Sequence, residues 1–98
     1  MPVALPVRSE AAAAADIAAI ARALSDPVRA RIVDVLRRSG GEVCQCHLQP
    51  LFDISQPTLS HHLRKLADAG LIAVSRRGRW AYYSLDSGRV EVLKSWLA

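Results

Sequence analysis

Cys44, Cys46 and His47 are the residues of this 98-residue chain whose types suit coordination chemistry. Thiolates are soft ligands and select soft ions such as arsenite, antimonite, cadmium and lead. A cysteine pair with one residue between its members closes almost no loop, so it does not read as a structural disulfide. In a reducing compartment such a pair serves as a metal site or a redox site. Spacing constrains the geometry. Positions two apart on a helix point about 200° apart, so Cys44 and Cys46 cannot both reach one ion from a regular helix. Cys44 and His47 share a face. Either the pair stands at a frayed helix start, where the helix dipole favours thiolate, or ion binding distorts the helix. The plain alternative makes Cys46 a buried small apolar residue and Cys44 a bystander.

A second group of residues suits a polyanion. Residues 56–69 read as a helix with Leu59, Leu63 and Leu66 on one face and Gln56, Thr58, Ser60, His61, Arg64 and Lys65 on the other. Ser55 precedes it as a cap and a further DNA-facing hydroxyl, and Pro57 falls in the first turn. Short hydrogen-bonding groups suit base edges in a major groove, while the helix N-terminus and the long cations suit phosphates. Arg76, Arg77 and Arg79 surround Gly78 on a projecting loop, an arrangement that repels itself unless an anion is near. His62 reads as a packing histidine, and Trp80, Tyr82 and Tyr83 as core and strand-face residues. The plain alternative is a solvated helix face on a protein-interaction module.

These groups need a scaffold, and the remaining sequence supplies one. Glu10 to Leu24 is an alanine-rich helix with Ile17, Ile20 and Leu24 at helical spacing, after a flexible tail over residues 1–9. Ser25-Asp26-Pro27 starts a second helix with Val28, Ile32, Val35 and Leu36 on its apolar face, ended at Gly40-Gly41. Residues 43–52 read as a short helix, weakened by Pro50. After Gly70 the period changes from helical to alternating. Leu71–Ser75 and Trp80–Leu85 read as a hairpin, and Asp86 caps a last helix striped by Val90, Leu93 and Leu97. The fold class is therefore mainly α with a β-hairpin: four helices, two strands and a helix, in the winged helix-turn-helix plan, with one domain over residues 10–98.

Composition agrees. The formal charge is +4 with 51% hydrophobic residues, which suits a globular domain with an anionic partner. No apolar run is long enough for a membrane span. The start lacks a basic leading region, so a cytoplasmic location is expected. No phosphate loop, paired-carboxylate motif or nucleophile elbow points to an enzyme.

Four stretches in order carry a family resemblance: Ala23-Leu24-Ser25-Asp26-Pro27-Val28-Arg29, Glu42-Val43-Cys44-Gln45-Cys46-His47-Leu48, Ser55-Gln56-Pro57-Thr58-Leu59-Ser60-His61-His62-Leu63, and Arg77-Gly78-Arg79-Trp80-Ala81-Tyr82-Tyr83. Over residues 17–85 the chain resembles the ArsR/SmtB family of metal-responsive repressors. The resemblance implies a homodimer joined through the first and last helices, which binds double-stranded operator DNA and lets go when an inducer ion binds. It implies Cys44 and Cys46 as ligands for As(III) or Sb(III), alternatively Cd(II), Pb(II) or Zn(II), with His47, a solvent oxygen or an exogenous thiol as the third donor. Gln49 stands where some arsenic sensors carry a third cysteine. A thiol redox response with the same DNA-binding unit is the remaining alternative.

Overall fold

The structure is a computed structural model and describes residues 7–98, with side chains from residue 11. Its elements are α1 (Val7–Leu24), α2 (Pro27–Ser39), β1 (Val43–Cys44), α3 (Gln45–Leu48) running into a 3-10 turn (Gln49–Leu51), α4 (Gln56–Asp68), β2 (Ile72–Arg77), β3 (Trp80–Leu85) and α5 (Ser87–Leu97). This is the expected winged helix-turn-helix. α1 begins at Val7 rather than Glu10, and the expected tail falls largely outside the described residues.

The helix boundaries follow local chemistry. The Asp26 carboxylate accepts from the backbone N–H of Val28 at 2.8 Å and of Arg29 at 3.2 Å, so α2 starts on a satisfied cap with Pro27 in its first turn. Its end is set by Gly40, which takes a φ of +70° and donates its N–H to the Leu36 carbonyl. Asp86 caps α5 by accepting from Arg89 N–H at 2.9 Å. The apolar stripes of α1, α2 and α4 converge on Ile20, Ile32, Leu36, Leu48, Leu59, Leu63, Leu66 and Leu71, all fully buried. That core fixes α4 against the rest of the domain and leaves its opposite face outward.

Two expectations are corrected. Residues 43–52 are not one helix. Val43 and Cys44 instead pair with Tyr83 and Tyr82, which makes the expected two-stranded hairpin a three-stranded antiparallel sheet in the order β1-β3-β2. The helical part is a single turn, and Pro50, which cannot donate to an earlier carbonyl, converts the rest to a 3-10 turn. The first wing strand extends to Arg77, so Arg76 and Arg77 lie in the ladder rather than in a loop. The turn shrinks to Gly78-Arg79, with Gly78 at a φ of +61°. α5 forms after its Asp86 cap as expected, with Val90 and Leu93 of its stripe half-buried, Leu97 69% exposed and Trp96 beside it 59% exposed.

Candidate nucleic-acid interface and thiol pair

α4 begins at Ser55, whose hydroxyl oxygen accepts from Thr58 N–H at 3.3 Å and shares a 2.9 Å hydrogen bond with the Thr58 hydroxyl. Ser55 therefore shapes the helix start. Leu59, Leu63 and Leu66 face the core, while Gln56, Thr58, His61, Arg64 and Lys65 are exposed along the opposite side. Ser60 is half-buried and already engaged: Gln45 donates its amide N–H to the Ser60 hydroxyl at 2.9 Å.

His62 packs inward, as its spacing suggests. Its Nδ1 lies 3.3 Å from an Arg29 guanidinium nitrogen and 4.0 Å from the Asp26 carboxylate. Arg29 also donates to the Ala23 carbonyl at 2.8 Å. The group ties the end of α1, the start of α2 and the middle of α4 together. Desolvation would raise the Asp26 carboxyl, but the two backbone donors, with the Arg29 charge, hold it below the ordinary carboxylate value.

The wing does not present three equivalent cations. Arg77 is ion-paired with Glu42, just before β1, and its guanidinium lies 4.2 Å from the centre of the Tyr82 ring. The strands bring these partners together from 35 residues apart, which the sequence reading missed. Arg76 and Arg79 have no carboxylate partner among the described residues. Arg79 lies 5.3 Å from the Trp80 ring, which is itself exposed. The free cations of this surface are thus Arg64 and Lys65 on α4 and Arg76 and Arg79 on the wing.

The cysteines stand at a helix start. Cys44 is extended (φ −64°, ψ 140°) and caps α3, its sulfur accepting from Cys46 N–H at 3.3 Å. Because Cys44 lies outside the helix, the angular separation that a regular helix would impose does not apply. The two sulfurs are joined, with Cα atoms 5.1 Å apart. Burial is the reverse of the plain alternative: Cys44 is buried and Cys46 exposed. His47 is exposed on the single turn of α3. Among the described residues no three His, Cys, Asp or Glu side chains converge to hold a metal. Gln49 is committed elsewhere. Its amide donates to the Ile54 carbonyl at 2.7 Å, and its Oε1 is buried with no partner.

Gln45, between the cysteines, is the residue that sequence reasoning missed. Its Nε2 reaches Ser60 on α4, and its Oε1 accepts from the Tyr83 hydroxyl on β3 at 3.4 Å. One amide thus touches both α4 and the wing sheet. No periodicity marks it, since its partners are 15 and 38 residues away. Around it lies a cavity of about 720 Å³, bounded by the cysteine turn, α4 and the wing.

Comparison with known proteins agrees with this geometry. Residues 26–74 match the model for "Bacterial regulatory protein, arsR family". The chain is 42% identical over 71 residues to an arsenical resistance operon repressor of Staphylococcus xylosus, covering 72% of this chain and 66% of that one. It is 40% identical over 78 residues to a cadmium resistance transcriptional regulatory protein CadC homolog of Staphylococcus aureus, covering 80% and 64%. The chain thus spans slightly less than two thirds of these relatives' lengths. A crystal structure of an ArsR family transcriptional regulator superposes with a TM-score of 0.75 at 27% identity, over 84% of this chain and 82% of that one. With the fold, the capped α4 and the cysteine turn in place, the chain belongs to the arsR family of bacterial regulatory proteins, which are transcriptional regulators and not enzymes.

Proposed function

We propose that this protein is a homodimeric cytoplasmic repressor that binds operator DNA through α4 and the wing and releases it when As(III) or Sb(III) binds Cys44 and Cys46. The observation that carries the reading is the Gln45 amide. It stands between the two thiols and contacts Ser60 on the face assigned to the major groove. A ligand that fixes the cysteine turn therefore acts on a residue in contact with the DNA-reading helix.

In this reading Gln56, Thr58, Ser60 and His61 meet base edges, and Arg64, Lys65, Arg76 and Arg79 meet phosphates, with Ser55 at the helix start. Arg77, held by Glu42, shapes the wing. α1 and α5 supply the dimer contact, which accounts for the exposure of Trp96 and Leu97 on α5. The donor set favours a trivalent metalloid over zinc. Two thiolates without further protein ligands fall short of the closed tetrahedral shell that structural zinc takes. Similarity to an arsenical resistance repressor supports the same choice.

A second reading is supported by the closeness of the two cysteines, with Cα atoms 5.1 Å apart: oxidation of the pair, each thiolate giving one electron to an oxidant such as a peroxide, is itself the signal. One titration decides. Reduced protein on a fluorescent operator is challenged with arsenite, antimonite, cadmium, lead, zinc and hydrogen peroxide. Release by the metalloids, lost in the double variant Cys44→Ser with Cys46→Ser, supports the first reading. Release by peroxide alone supports the second. Release that persists in the double variant removes the cysteines from the mechanism.

A further inference from the structure

α5 is held to the rest of the chain by few contacts. None of its residues is buried, and of its apolar side chains only Leu93 packs against the core. At its start the Asp86 N–H donates to the Leu71 carbonyl at 2.9 Å, just past the turn that ends α4. That turn contains Gly70, at a φ of +77°, and Arg89 of α5 lies across it. A Cβ at Gly70 would stand 2.7 Å from Arg89 Nε and 3.3 Å from its Cγ, so a side chain there would push Arg89 off this path. Beyond the turn the guanidinium reaches Asp16 on α1, with 2.8 Å between Nη1 and Oδ2. Among the described residues this is the only ion pair that joins α5 to another element.

We infer that Arg89 is a positioning residue for DNA recognition: by crossing Gly70 to reach Asp16 it fixes the angle between α5 and α4, and with it the separation of the two α4 helices in the dimer. The inference rests on the proposed homodimer through α1 and α5. One side chain meets three elements. Its backbone belongs to α5, its stem rests on the end of α4, and its planar head is held by α1. Packing fixes the direction of α5 only weakly, since Val92, Trp96 and Leu97 face away from this chain. A two-fold interface applies any change of that direction to both protomers, and the half-sites of an operator must match the spacing of the reading helices. Arg89 is not among the residues assigned to DNA or to the cysteine turn, so its effect on binding is through geometry.

The test uses the full chain and a palindromic duplex that the chain selects from a random pool, with no, one or two base pairs inserted between the half-sites. Affinity is read by fluorescence anisotropy, self-association by sedimentation equilibrium and folding by thermal melts. The wild-type chain is expected to prefer the spacing it selected. Arg89→Met keeps the stem over Gly70 and removes the charge. It is expected to reduce that preference about five-fold, from one partly exposed ion pair in each protomer, with self-association and binding to unrelated duplex unchanged. Asp16→Asn is expected to match it, and the double variant to add little to either, because both break one contact. A spacing preference undiminished in both single variants overturns the inference and leaves the homodimer standing. A loss that follows weakened self-association, or losses that add in the double variant, overturn it in the same way. A wild-type dimer indifferent to spacing overturns the inference alone, and a wild-type chain that stays monomeric on the duplex overturns the inference and the homodimer together.

Discussion

Replacing Gln45 with leucine keeps the side-chain volume close to the original and removes both amide contacts. The bond to Ser60 is 2.9 Å long and well formed, whereas the contact with the Tyr83 hydroxyl, at 3.4 Å, is at the outer limit. One good hydrogen bond is therefore at stake, worth about 1 kcal/mol net, or roughly five-fold in an equilibrium constant. A contact cannot transmit more free energy than it contributes differentially to the two states. Gln45→Leu is accordingly expected to reduce the inducer-dependent change in operator affinity by about five-fold per protomer, with affinity for arsenite itself unchanged. The assay is operator binding by fluorescence anisotropy, with and without arsenite, alongside direct measurement of arsenite binding. Ser60→Ala is expected to give a similar loss, and the double variant little more than either alone, because both act on one contact. An undiminished arsenite effect in Gln45→Leu would refute the coupling argument, since the inducer would then act by a route that bypasses this amide.

Other outcomes follow from the same geometry. Asp26→Ala is expected to cost about 1 kcal/mol of stability by removing the α2 cap, read by denaturant unfolding. The Asp26 carboxyl is held below its ordinary value, so its stabilisation is complete above the unfolded value and is lost as pH falls through the lowered one. Asp26→Asn should flatten that acid limb in a pH series of melts. Gln49→Cys is expected to tighten arsenite binding at least about ten-fold by adding a third thiolate three residues after Cys46, with a small stability loss as the Ile54 carbonyl loses its donor. Trp96→Asp is expected to weaken self-association by roughly thirty-fold or more, about 2 kcal/mol, in sedimentation velocity, because it puts a charge into the exposed apolar end of α5.

What could be read from the sequence was what short-range chemistry determines. α2 and α4 have capping side chains, prolines in the first turn and leucine or isoleucine at helical spacing, and both form where expected. β1 was not legible, because two residues have no period and their pairing with Tyr82 and Tyr83 is made across the fold. The same distance hid the Arg77–Glu42 pair, so three wing arginines looked equivalent when one is already neutralised. The cysteine turn shows both sides. Helical geometry left two ways for both thiols to meet, a helix start or a distorted helix, and Cys44 stands at a helix start. Nothing in the sequence indicated that Gln45 would project to Ser60. The stripe on α5 was legible as Val90, Leu93 and Leu97, but which surface it covers was not, because a stripe does not say what lies against it; Leu97 is exposed in the single chain.

The assignment of the outward face of α4 and the tip of the wing to DNA is tested most directly by the salt dependence of operator affinity. In the proposed dimer Arg64, Lys65, Arg76 and Arg79 of two protomers would neutralise about eight phosphates, which predicts a slope of log affinity against log salt of about −7. Arg79→Ala should lower that slope by about 0.9 for each protomer, and Arg77→Ala by clearly less, because Glu42 already holds Arg77. A slope near zero, or equal losses for the two arginines, would contradict the account.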